Sequence, residues 1–403
     1  MRRPRRARVH PSCGTGRRPH RSGHHGARLA PPPDPASVRI ALVHPYPWPE
    51  VRRGAERYLE DLSAYLAGHG HEVTVVTGTH GRPTEERTAS GALVVRRRLV
   101  RRGERFGLSE VETFGVAALA PLRATGADVV HALVPSAALA GRLAGRRTLY
   151  TVLGHPSPEQ LPERVVPRRL LLGAVRRATA VATLSRASAE ALEAVVGRRP
   201  VVLTPGVRLE QFPPELAPRT GPPTVLLSAS LKDPRKRGPL VLDAFARLRR
   251  RRPDVRLVLS GEGGPGALDG DLASAVEVAG TGSPEEVPGR YRAATVTVLA
   301  SAHEAFGLAL VESLASGTPV VCTPDGGMPE IVDPTVGTVA RHSSAEALCD
   351  ALDDAIDLAA DPATPARCVE RARRWDWGTA VGPAHVEVYE AVRTGRREIA
   401  ALS

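Results

Sequence analysis

From Val38 onward, short apolar runs alternate with stretches of helical periodicity, and this alternation constrains the fold more than any other feature of the sequence. An apolar run at residues 38–43 is followed by a loop through Gly54, a helical pattern at 55–67 and a second strand pattern at 72–77. Short apolar runs bounded by turn residues indicate buried strands, and apolar spacing of about 3.6 residues indicates a helix. The segment therefore predicts a β-α-β unit, which joins parallel strands.

The same alternation continues through the first half of the chain and restarts in the second. Further strand patterns follow at residues 128–131, 148–152, 180–184 and 201–203. After a segment rich in Pro and Gly at residues 204–223, strand patterns recur at 224–228, 255–260, 295–300 and 320–323, with helical patterns at 239–250 and 308–316. Such a segment is typical of a linker between compact units. The sequence predicts an α/β protein with two Rossmann-like, doubly wound parallel-sheet domains that face each other across a cleft.

The length of 403 residues also favours two domains, because one domain usually contains roughly 100–200 residues. We place the N-terminal domain at residues 37–205, the C-terminal domain at 206–370 and a final helical segment at 371–395. Residues 1–36 are rich in Arg, His, Pro and Gly and show no apolar periodicity, so a disordered basic tail is predicted there.

Most of the positive charge lies in that tail. The chain carries a net charge of +12, and residues 1–36 hold nine Arg and one Asp, so the rest is only mildly basic and no nucleic-acid partner is expected. The tail lacks the apolar segment of a secretory signal, and no run of about 18 apolar residues occurs, so a cytoplasmic location is expected. The four Cys lack metal-ligand spacing, which argues against a zinc site or a disulfide framework.

Two carboxylates flank the start of a predicted helix in the second half. Glu304 follows the strand pattern at 295–300, and Glu312 lies inside the helix that begins at Leu308. Open α/β sheets bind ligands at the carboxyl ends of their strands, and a helix N-terminus favours an anion. A carboxylate can accept two hydrogen bonds from a vicinal diol such as ribose. The pair indicates a ligand with a sugar and a phosphate; the alternative is two unrelated solvated glutamates.

The loop after the strand pattern at 224–228 is rich in cations. The chain contains 55 Lys and Arg residues in total, but its only two Lys, Lys232 and Lys236, both lie in this loop. An ammonium group suits a phosphate as a compact point charge, so Lys236 is a candidate diphosphate ligand. The alternative is a solvated basic loop.

Two glycine-bearing turns complete the set of candidate motifs. One is Arg53-Gly54-Ala55-Glu56, before the first helical pattern, and the other is Asp325-Gly326-Gly327-Met328-Pro329-Glu330, after a strand pattern. Glycine lets the backbone approach a ligand closely, although each turn alone is also compatible with ordinary turn chemistry.

Together these motifs resemble the retaining glycosyltransferases of family 4, which have the GT-B fold and are related to glycogen synthases and phosphatidylinositol mannosyltransferases. The resemblance extends from Val38 to about Val392. It is carried by Gly54-Ala55-Glu56, Gly70-His71-Glu72-Val73-Thr74-Val75, Asp128-Val129-Val130-His131, Pro205-Gly206-Val207 with Phe212, Pro234-Arg235-Lys236, Gly261-Glu262-Gly263, Glu304-Ala305-Phe306-Gly307-Leu308 with Glu312, Gly317-Thr318-Pro319-Val320-Val321, Gly326-Gly327 and Pro329-Glu330-Ile331-Val332.

The resemblance implies a role for each of the strongest candidates. Glu304 would hold the hydroxyl groups of a donor sugar, Lys236 the diphosphate and Glu312 the nucleotide ribose, with Glu304 and Lys236 as the catalytic residues. The remaining donor-binding candidates are Phe306, Gly307 and Leu308 through their backbone amides, Gly54 from the other domain, and Arg235, Arg237 and Gly261. The donor would be a nucleotide diphosphate sugar, with no metal and no other cofactor, and the final helical segment would cross back onto the first domain.

Some positions depart from the family pattern. Ser230 stands where an Arg usually precedes the phosphate Lys, and Arg53 replaces the first of two paired glycines. Leu133 and Leu153 stand where many members have His. His131 and His155 are further candidates, with a buried strand-end histidine as the alternative for His131.

The function that the sequence predicts is transfer of a hexose from a nucleotide diphosphate sugar to an unidentified hydroxyl acceptor, with retention of configuration. A catalytically silent nucleotide-sugar-binding protein, and a nucleotide-sugar epimerase or sugar phosphorylase of the same fold, are the alternatives. Basic stretches at residues 96–102, 168–169 and 176–177 flank apolar residues and could place the first domain at the inner face of a membrane; solvated helix faces are the alternative.

Overall fold

The computed structural model describes residues 37–51, 53–99, 108–217, 219–266, 268, 270–396 and 399. The tail at residues 1–36, for which the sequence predicts disorder, lies outside this set. Within the described part of the chain, no helix is both long enough and apolar enough to cross a membrane.

The first sheet has eight strands, all from the first half of the chain. They are β1 (Arg39–Val43), β2 (Glu72–Thr79), β3 (Thr84–Arg87), β4 (Leu93–Arg98), β5 (Val129–Ala132), β6 (Arg147–Val152), β7 (Ala180–Thr183) and β8 (Val201–Val202). Their order is β3-β4-β2-β1-β5-β6-β7-β8, and all neighbours are parallel except β3 and β4.

The second sheet has six strands and is parallel throughout. They are β9 (Thr224–Ser228), β10 (Arg256–Ser260), β11 (Val276–Val278), β12 (Val296–Leu299), β13 (Val320–Cys322) and β14 (Gly337–Val339). Their order is β11-β10-β9-β12-β13-β14. The predicted class, two doubly wound α/β sheets, is confirmed.

Helices connect the parallel strands, as right-handed crossovers require. They are α1 (Gly54–Gly68), α2 (Glu110–Ala124), α3 (Pro135–Leu143), α4 (Val165–Arg177), α5 (Arg186–Val196), α6 (Gly238–Arg251), α7 (Gly270–Ser274), α8 (Val287–Ala293), α9 (Leu308–Ala315), α10 (Ala345–Ala359), α11 (Thr364–Ala372) and α12 (Gly382–Thr394). Polar side chains cap the N-termini of several helices. Ser109 and Glu112 form a capping box on α2, and the Ser344 side chain accepts a hydrogen bond from the backbone of Ala347 on α10.

Each sheet reverses its chain order at one point, where loops diverge and leave a crevice. The reversal falls between β1 and β5 in the first sheet and between β9 and β12 in the second. These central strands are covered on both faces, which explains their continuous apolar runs: β5 and β12 are buried along their whole length. Ligands of doubly wound sheets bind at such switch points, beyond the carboxyl ends of the strands. The loops that carry Gly54, Lys236 and Glu304 follow β1, β9 and β12.

The Pro- and Gly-rich segment between the sheets is more ordered than a flexible linker. Val207 pairs with Asp376 as an isolated bridge, and the side chains of Val207 and Phe212 are almost fully buried. The last helix, α12, packs against the first sheet: the Tyr389 hydroxyl lies 2.7 Å from His131 Nδ1 on β5, and Arg147 on β6 donates to the carbonyl of Val392. The segments that precede and follow the second sheet in sequence therefore contact each other, and the last helix also contacts the first sheet.

The edge hairpin of β3 and β4 was not predicted from the sequence. β3 is charged and exposed along its length, and in β4 a short apolar run, Leu93 to Val95, is followed at once by three arginines. Arg96 and Arg97 on β4 form ion pairs with Glu86 and Glu85 on β3. The basic stretch at residues 96–98 is therefore part of a strand, and two of its charges are neutralised within the hairpin; residues 100–102 lie outside the described chain.

Candidate active site

A cleft of about 970 Å³ lies between the carboxyl ends of the two sheets. Ten of the candidate residues line it: Arg53, Gly54, Ser230, Arg235, Lys236, Gly261, Glu304, Phe306, Gly307 and Leu308. The other four, Arg237, Glu312, His131 and His155, lie outside its lining. The loops after β1, β9, β10 and β12 supply these residues, so the topology brings together motifs that are up to 250 residues apart in sequence.

An ion pair between Lys236 and Glu304 lies in this cleft. Lys236 Nζ is 2.6 Å from Glu304 Oε2, and each side chain is about one-quarter exposed (24% and 21%). Lys236 ends a short 3₁₀ turn, Pro234–Lys236, which the side chain of Asp233 caps by accepting a hydrogen bond from the backbone of Arg235. The cap holds the ammonium group at the edge of the cleft, where it can meet an anion.

The N-terminus of α9 points into the same space. Gly307 precedes the helix with φ of 111°, a left-handed backbone conformation that residues other than glycine rarely adopt. This turn directs the first backbone N–H groups of the helix toward the cleft, and such groups favour an anion. Gly54 lies opposite, and a Cβ at Gly54 would be 3.8 Å from the Leu308 side chain. The two sheets' loops thus approach closely at this point.

The Gly326-Gly327 turn packs against the backbone of Glu304. The Gly327 N–H donates to the carbonyl of Glu304 at 2.8 Å. Gly326 has φ of 61°, and a Cβ there would lie 2.0 Å from the same carbonyl oxygen. The backbone that these glycines approach is therefore that of Glu304, so the turn fixes the position of this carboxylate.

The arginines beside Lys236 are engaged by carboxylates. Arg235 pairs with Asp233 at 2.7 Å, and Arg237 pairs with Asp325 at 2.9 Å. The hydrogen bond that Arg235 donates to Asp233 raises the pKa of Arg235. Burial would raise the pKa of Asp325, but hydrogen bonds from Ser343 and Arg237 outweigh it and the pKa is lowered. These arginines hold the loop in place, whereas Lys236 has the carboxylate of Glu304 as its partner.

The Ser230 hydroxyl contacts backbone groups of its own loop and of the loop after β10. Its hydroxyl accepts a hydrogen bond from the backbone N–H of Lys232 at 3.3 Å and lies 3.5 Å from the carbonyl of Glu262. Lys232 itself is 70% exposed and lies 3.4 Å from Glu262. Only one of the two lysines, Lys236, therefore lines the cleft.

Glu312 lies one turn into α9 and is covered by two side chains. Tyr291 on α8 donates its hydroxyl to Glu312 Oε2 at 2.8 Å, and Arg57 on α1 donates to Oε1 at 2.6 Å. The Glu312 side chain is 10% exposed. Burial, followed by the charge of Glu312, raises the pKa of Tyr291, so its phenol stays protonated and donates. Both carboxylate oxygens thus have a partner, and one partner comes from the first domain.

Arg57 has a second carboxylate on its own helix. Its Nε lies 3.6 Å from Asp61 Oδ2, one turn further along α1, and its guanidinium lies over the Phe212 ring at 5.4 Å. Asp61 also pairs with Arg208 at 2.7 Å. Burial acts to lower the pKa of Arg57, but Glu312 and Asp61 outweigh it and raise it. Arg57 therefore stays charged and can keep one anionic partner if it leaves the other.

Neither candidate histidine lines the cleft. His131 is fully buried, with Nδ1 2.7 Å from the Tyr389 hydroxyl and Nε2 2.7 Å from Thr151 Oγ1. Burial lowers its pKa well below the usual range, so the structure places it as a core histidine. His155 lies just beyond the cleft wall, and its ring stacks on His303 with centroids 6.3 Å apart. Leu153 lines the cleft, whereas Leu133 is buried.

Sequence reasoning missed Arg57 and Tyr291. Arg57 could have been found, because it follows Gly54 by three residues and precedes Asp61 by four, which places both charges on one face of the helix. Tyr291 lies on a short helix in a different loop, and the sequence carries no signal for its contact with Glu312. The assembled cleft offers an ammonium group, a carboxylate and a helix N-terminus, which suits a ligand that has a phosphate beside hydroxyl groups.

Two family models match the chain in tandem. Residues 52–211 match the model of Glycosyltransferase Family 4, and residues 210–375 match Glycosyl transferases group 1. Together they cover the second sheet, the first sheet except β1, and the candidate residues that line the cleft. The join at residues 210–211 falls in the segment between β8 and β9.

Curated relatives include enzymes that act on inositol compounds. A GDP-mannose-dependent alpha-(1-6)-phosphatidylinositol monomannoside mannosyltransferase from Mycolicibacterium smegmatis is 29% identical over 81% of this chain and 91% of that protein. A D-inositol 3-phosphate glycosyltransferase from Arthrobacter is 38% identical over 40% of this chain. The match spans only 42% of that relative's length.

Solved structures share the fold over most of the chain. A sucrose-phosphate synthase from Thermosynechococcus elongatus has a TM-score of 0.74 at 21% identity, covering 89% of this chain and 99% of that one. The Anabaena protein HepE, solved in complex with UDP and glucose, has a TM-score of 0.66 at 19% identity, covering 88% of this chain and 100% of that one. These structures share the GT-B fold, and the tandem family matches show that the chain belongs to the family 4 glycosyltransferases.

Proposed function

We propose that this protein transfers a hexose from a nucleotide diphosphate sugar to a hydroxyl acceptor with retention of configuration. The observation that carries the proposal is the Lys236–Glu304 pair in the cleft, beside the N-terminus of α9. Relatives support it: one is named as a GDP-mannose-dependent mannosyltransferase, and HepE was solved with UDP-glucose.

Each part of the donor has a partner in this scheme. Lys236 binds the diphosphate as a point charge, and the N–H groups at the start of α9 offset further charge. Glu304 accepts hydrogen bonds from the sugar hydroxyls, and its contact with Lys236 places it beside the phosphates. Gly54 approaches from the other side and leaves room for a backbone contact.

Glu312 binds the nucleotide ribose after Arg57 leaves it. A vicinal diol needs two acceptor positions, and both oxygens of Glu312 are occupied in this structure. Arg57 can leave because Asp61 keeps it paired, so the exchange does not leave a buried cation without a partner.

Charge stabilisation on the leaving group carries most of the catalysis in this scheme. As the bond between the anomeric carbon and the diphosphate oxygen breaks, the electron pair goes to the diphosphate, where Lys236 and the helix N-terminus stabilise it. The acceptor oxygen forms its bond to the anomeric carbon on the same face, and the hydroxyl proton passes to the departing diphosphate. No metal is required for this step, because the cations and the helix dipole offset the charge.

Incubation of the protein with radiolabelled UDP-, GDP- and ADP-hexoses and cell extract tests the proposal. We expect label transfer with one nucleotide class, unaffected by EDTA, and a product whose anomeric configuration, determined by NMR, matches the donor. Absence of both transfer and donor hydrolysis with all donors would contradict a glycosyltransferase activity. An inverted product would contradict retention alone.

A catalytically silent nucleotide-sugar-binding protein is the second candidate, and the occupied Glu312 favours it. A protein in which Arg57 never leaves Glu312 would bind a donor weakly and in a non-reactive position. Nucleotide-sugar binding by calorimetry, without turnover in the same samples, would favour this candidate. Conversion of the donor to its epimer without any acceptor would instead indicate an epimerase.

Peripheral membrane contact stays a prediction. With Arg96 and Arg97 neutralised, the remaining support is α4, where Val165 and Val166 are 59% and 46% exposed near Arg168 and Arg169. Cosedimentation with vesicles that contain anionic lipid tests it, and salt-sensitive binding is the expected result.

A further inference from the structure

A mainly apolar pocket lies beside the cleft in the first domain. Its volume is about 190 Å³, and its walls are aliphatic side chains and prolines from the ends of β6 and the helices α2, α3 and α4. The main contributors are Val111, Pro135, Val152, Pro156, Leu170 and Leu171. An apolar cavity of about 150 Å³ accommodates benzene, so this pocket can hold a group of that size.

Two polar residues in its wall have hydrogen-bond partners within the protein. Glu112 closes the capping box of α2 through Ser109. The Ser136 hydroxyl donates to the carbonyl of Val111 and accepts from the N–H of Gly115. Gln160, which is exposed, and His155 are the other polar residues of the wall, and the remaining lining residues are aliphatic, proline or glycine. The pocket therefore offers an entering ligand mainly apolar contact.

His155 connects the pocket to the cleft. It lines the pocket, its ring stacks on that of His303, and His303 is the residue before Glu304. Leu153, two residues before His155, lines the cleft itself. Only one or two residues therefore separate the pocket from the part of the cleft proposed to hold the donor sugar. A ligand in the pocket lies next to that part of the cleft.

The hydrogen bonds of His155 leave one nitrogen for such a ligand. Its Nδ1 lies 3.1 Å from Ser188 Oγ. Nε2 has no hydrogen-bond partner among the described residues, so it is available to an entering group. Burial and the neighbouring His303 lower the pKa of His155, which keeps the ring neutral near pH 7.

We propose that the acceptor carries a compact apolar group, about the size of a phenyl ring, which binds in this pocket and places its hydroxyl oxygen beside His155. This proposal rests on the proposed glycosyltransferase function and names the chemical class of the second substrate. The apolar group supplies binding energy by leaving water, and contact with His155 orients the hydroxyl toward the donor, so that its proton can pass to the departing diphosphate. A polyol phosphate acceptor would have to place its charged and polar groups against a mainly apolar wall.

The test uses 4-fluorobenzyl alcohol as the probe, observed by fluorine NMR with the full-length protein. We expect saturable binding to the wild type and affinity weaker by about tenfold or more for Leu171→Trp, which fills the pocket. Leu143→Trp is the matched control, because Leu143 is 70% exposed and does not line the pocket. Gly154→Phe is a second pocket-filling variant, since a Cβ at Gly154 has open space around it and should not disturb folding.

Transfer assays complete the test. With the preferred donor, we expect the wild type to glycosylate 4-fluorobenzyl alcohol faster than myo-inositol or glycerol, and both pocket-filling variants to lose this preference. Probe binding that is absent from the wild type, or unchanged in both variants, would overturn the proposal. Donor binding and hydrolysis are measured on the same samples: their absence refutes the glycosyltransferase function, whereas their presence without probe binding refutes only the apolar acceptor.

Discussion

Arg57 on α1 and Glu312 on α9 form a 2.6 Å hydrogen-bonded ion pair that joins the first domain to the second across the edge of the cleft. The Arg57 side chain is 24% exposed and that of Glu312 10% exposed, so water screens the pair less than it screens a surface pair. The carboxylate that the family resemblance assigns to the ribose is thus an interdomain contact in this structure. Under the proposed function, nucleotide binding and this contact compete for one side chain.

The first prediction concerns this competition. Arg57→Ala should bind UDP or GDP about threefold to tenfold more tightly than the wild type, because the ribose no longer has to displace a partly buried ion pair. Calorimetric titration measures the affinity. Arg208→Ala is the control, since Arg208 pairs with Asp61 and does not contact Glu312. Weaker nucleotide binding by Arg57→Ala would show that Arg57 assists the nucleotide and does not compete with it.

The two lysines provide a matched pair for the phosphate site. Lys236→Met should weaken nucleotide diphosphate binding by about tenfold to a hundredfold, because a hydrogen bond to a charged group contributes roughly 1.5–3 kcal/mol. Lys232→Met, which removes an exposed ammonium group from the same loop, should change the affinity by less than about twofold. Equal effects of the two substitutions would indicate a general charge effect of the basic loop.

Glu304 should affect turnover more than donor affinity. Glu304→Gln keeps the size of the side chain and one acceptor oxygen, but it removes the charge that pairs with Lys236. We expect kcat to fall by about a hundredfold or more and the Kd for the donor to change by less than about tenfold, as for a group that acts mainly in the transition state. Steady-state kinetics and calorimetry with the same donor separate the two quantities. A rise in KM with unchanged kcat would assign Glu304 to ground-state binding alone.

The sequence predicted the fold in detail because the central strands are buried on both faces. Strands such as β5 and β12 appear as continuous apolar runs, and the turns that follow them carry the glycines and charges of the site. β3 escaped prediction because an exposed, antiparallel edge strand needs no apolar run, and the apolar part of β4 is only three residues long. The stability of the β3–β4 hairpin comes from pairing and from cross-strand charges such as Arg97 with Glu85.

For the site, the sequence identified residues but not their partners. Glu304, Lys236 and Glu312 follow from local motifs, since each lies at a strand end or a helix start. The contacts of Glu312 with Arg57 and Tyr291 depend on how two helices from distant parts of the chain meet it, and no local pattern encodes that. His131 shows the reverse case: the motif position is present, but the final helix covers it and Tyr389 occupies its Nδ1.

The Gly326 turn should be intolerant of a side chain. Gly326→Ala would place a Cβ 2.0 Å from the Glu304 carbonyl oxygen at a φ of 61°, so the loop must shift and Glu304 with it. We expect the free energy of unfolding to fall by about 1–3 kcal/mol and transfer activity to fall further than the population of folded protein. Gly264→Ala is the control, because a Cβ there meets nothing within 4 Å. A fully active Gly326→Ala variant would show that the turn does not position Glu304.

The last prediction concerns acid stability and His385. This side chain is fully buried where α12 packs on the first domain, its Nδ1 2.7 Å from the Val381 carbonyl and its Nε2 2.6 Å from the Tyr58 hydroxyl. The carbonyl fixes the proton on Nδ1, so Nε2 accepts from Tyr58 and the neutral ring has both partners. Burial lowers the pKa of His385 to about 4.

The sign of the pH dependence follows from that lowered pKa. In the unfolded chain His385 has an ordinary histidine pKa of about 6.5, so it binds a proton that the folded state does not bind. The contribution of the neutral ring to the free energy of unfolding is therefore fully present above about pH 6.5 and is lost as the pH falls toward 4. Between pH 7.5 and pH 5, this one group should reduce the free energy of unfolding by about 2 kcal/mol. The buried His131, whose ring centroid lies 6.4 Å from that of His385, acts in the same direction.

Urea unfolding at pH 7.5 and at pH 5 measures the effect. The decrease in the free energy of unfolding between the two pH values should be smaller by about 2 kcal/mol in His385→Gln than in the wild type. This difference does not depend on how much the substitution changes the free energy of unfolding at pH 7.5. His69→Gln, at an exposed position on the end of α1, should leave the pH dependence as it is in the wild type. If the wild type and His385→Gln lose stability equally, the acid-sensitive group lies elsewhere, and the junction between α12 and the first domain does not depend on a neutral imidazole.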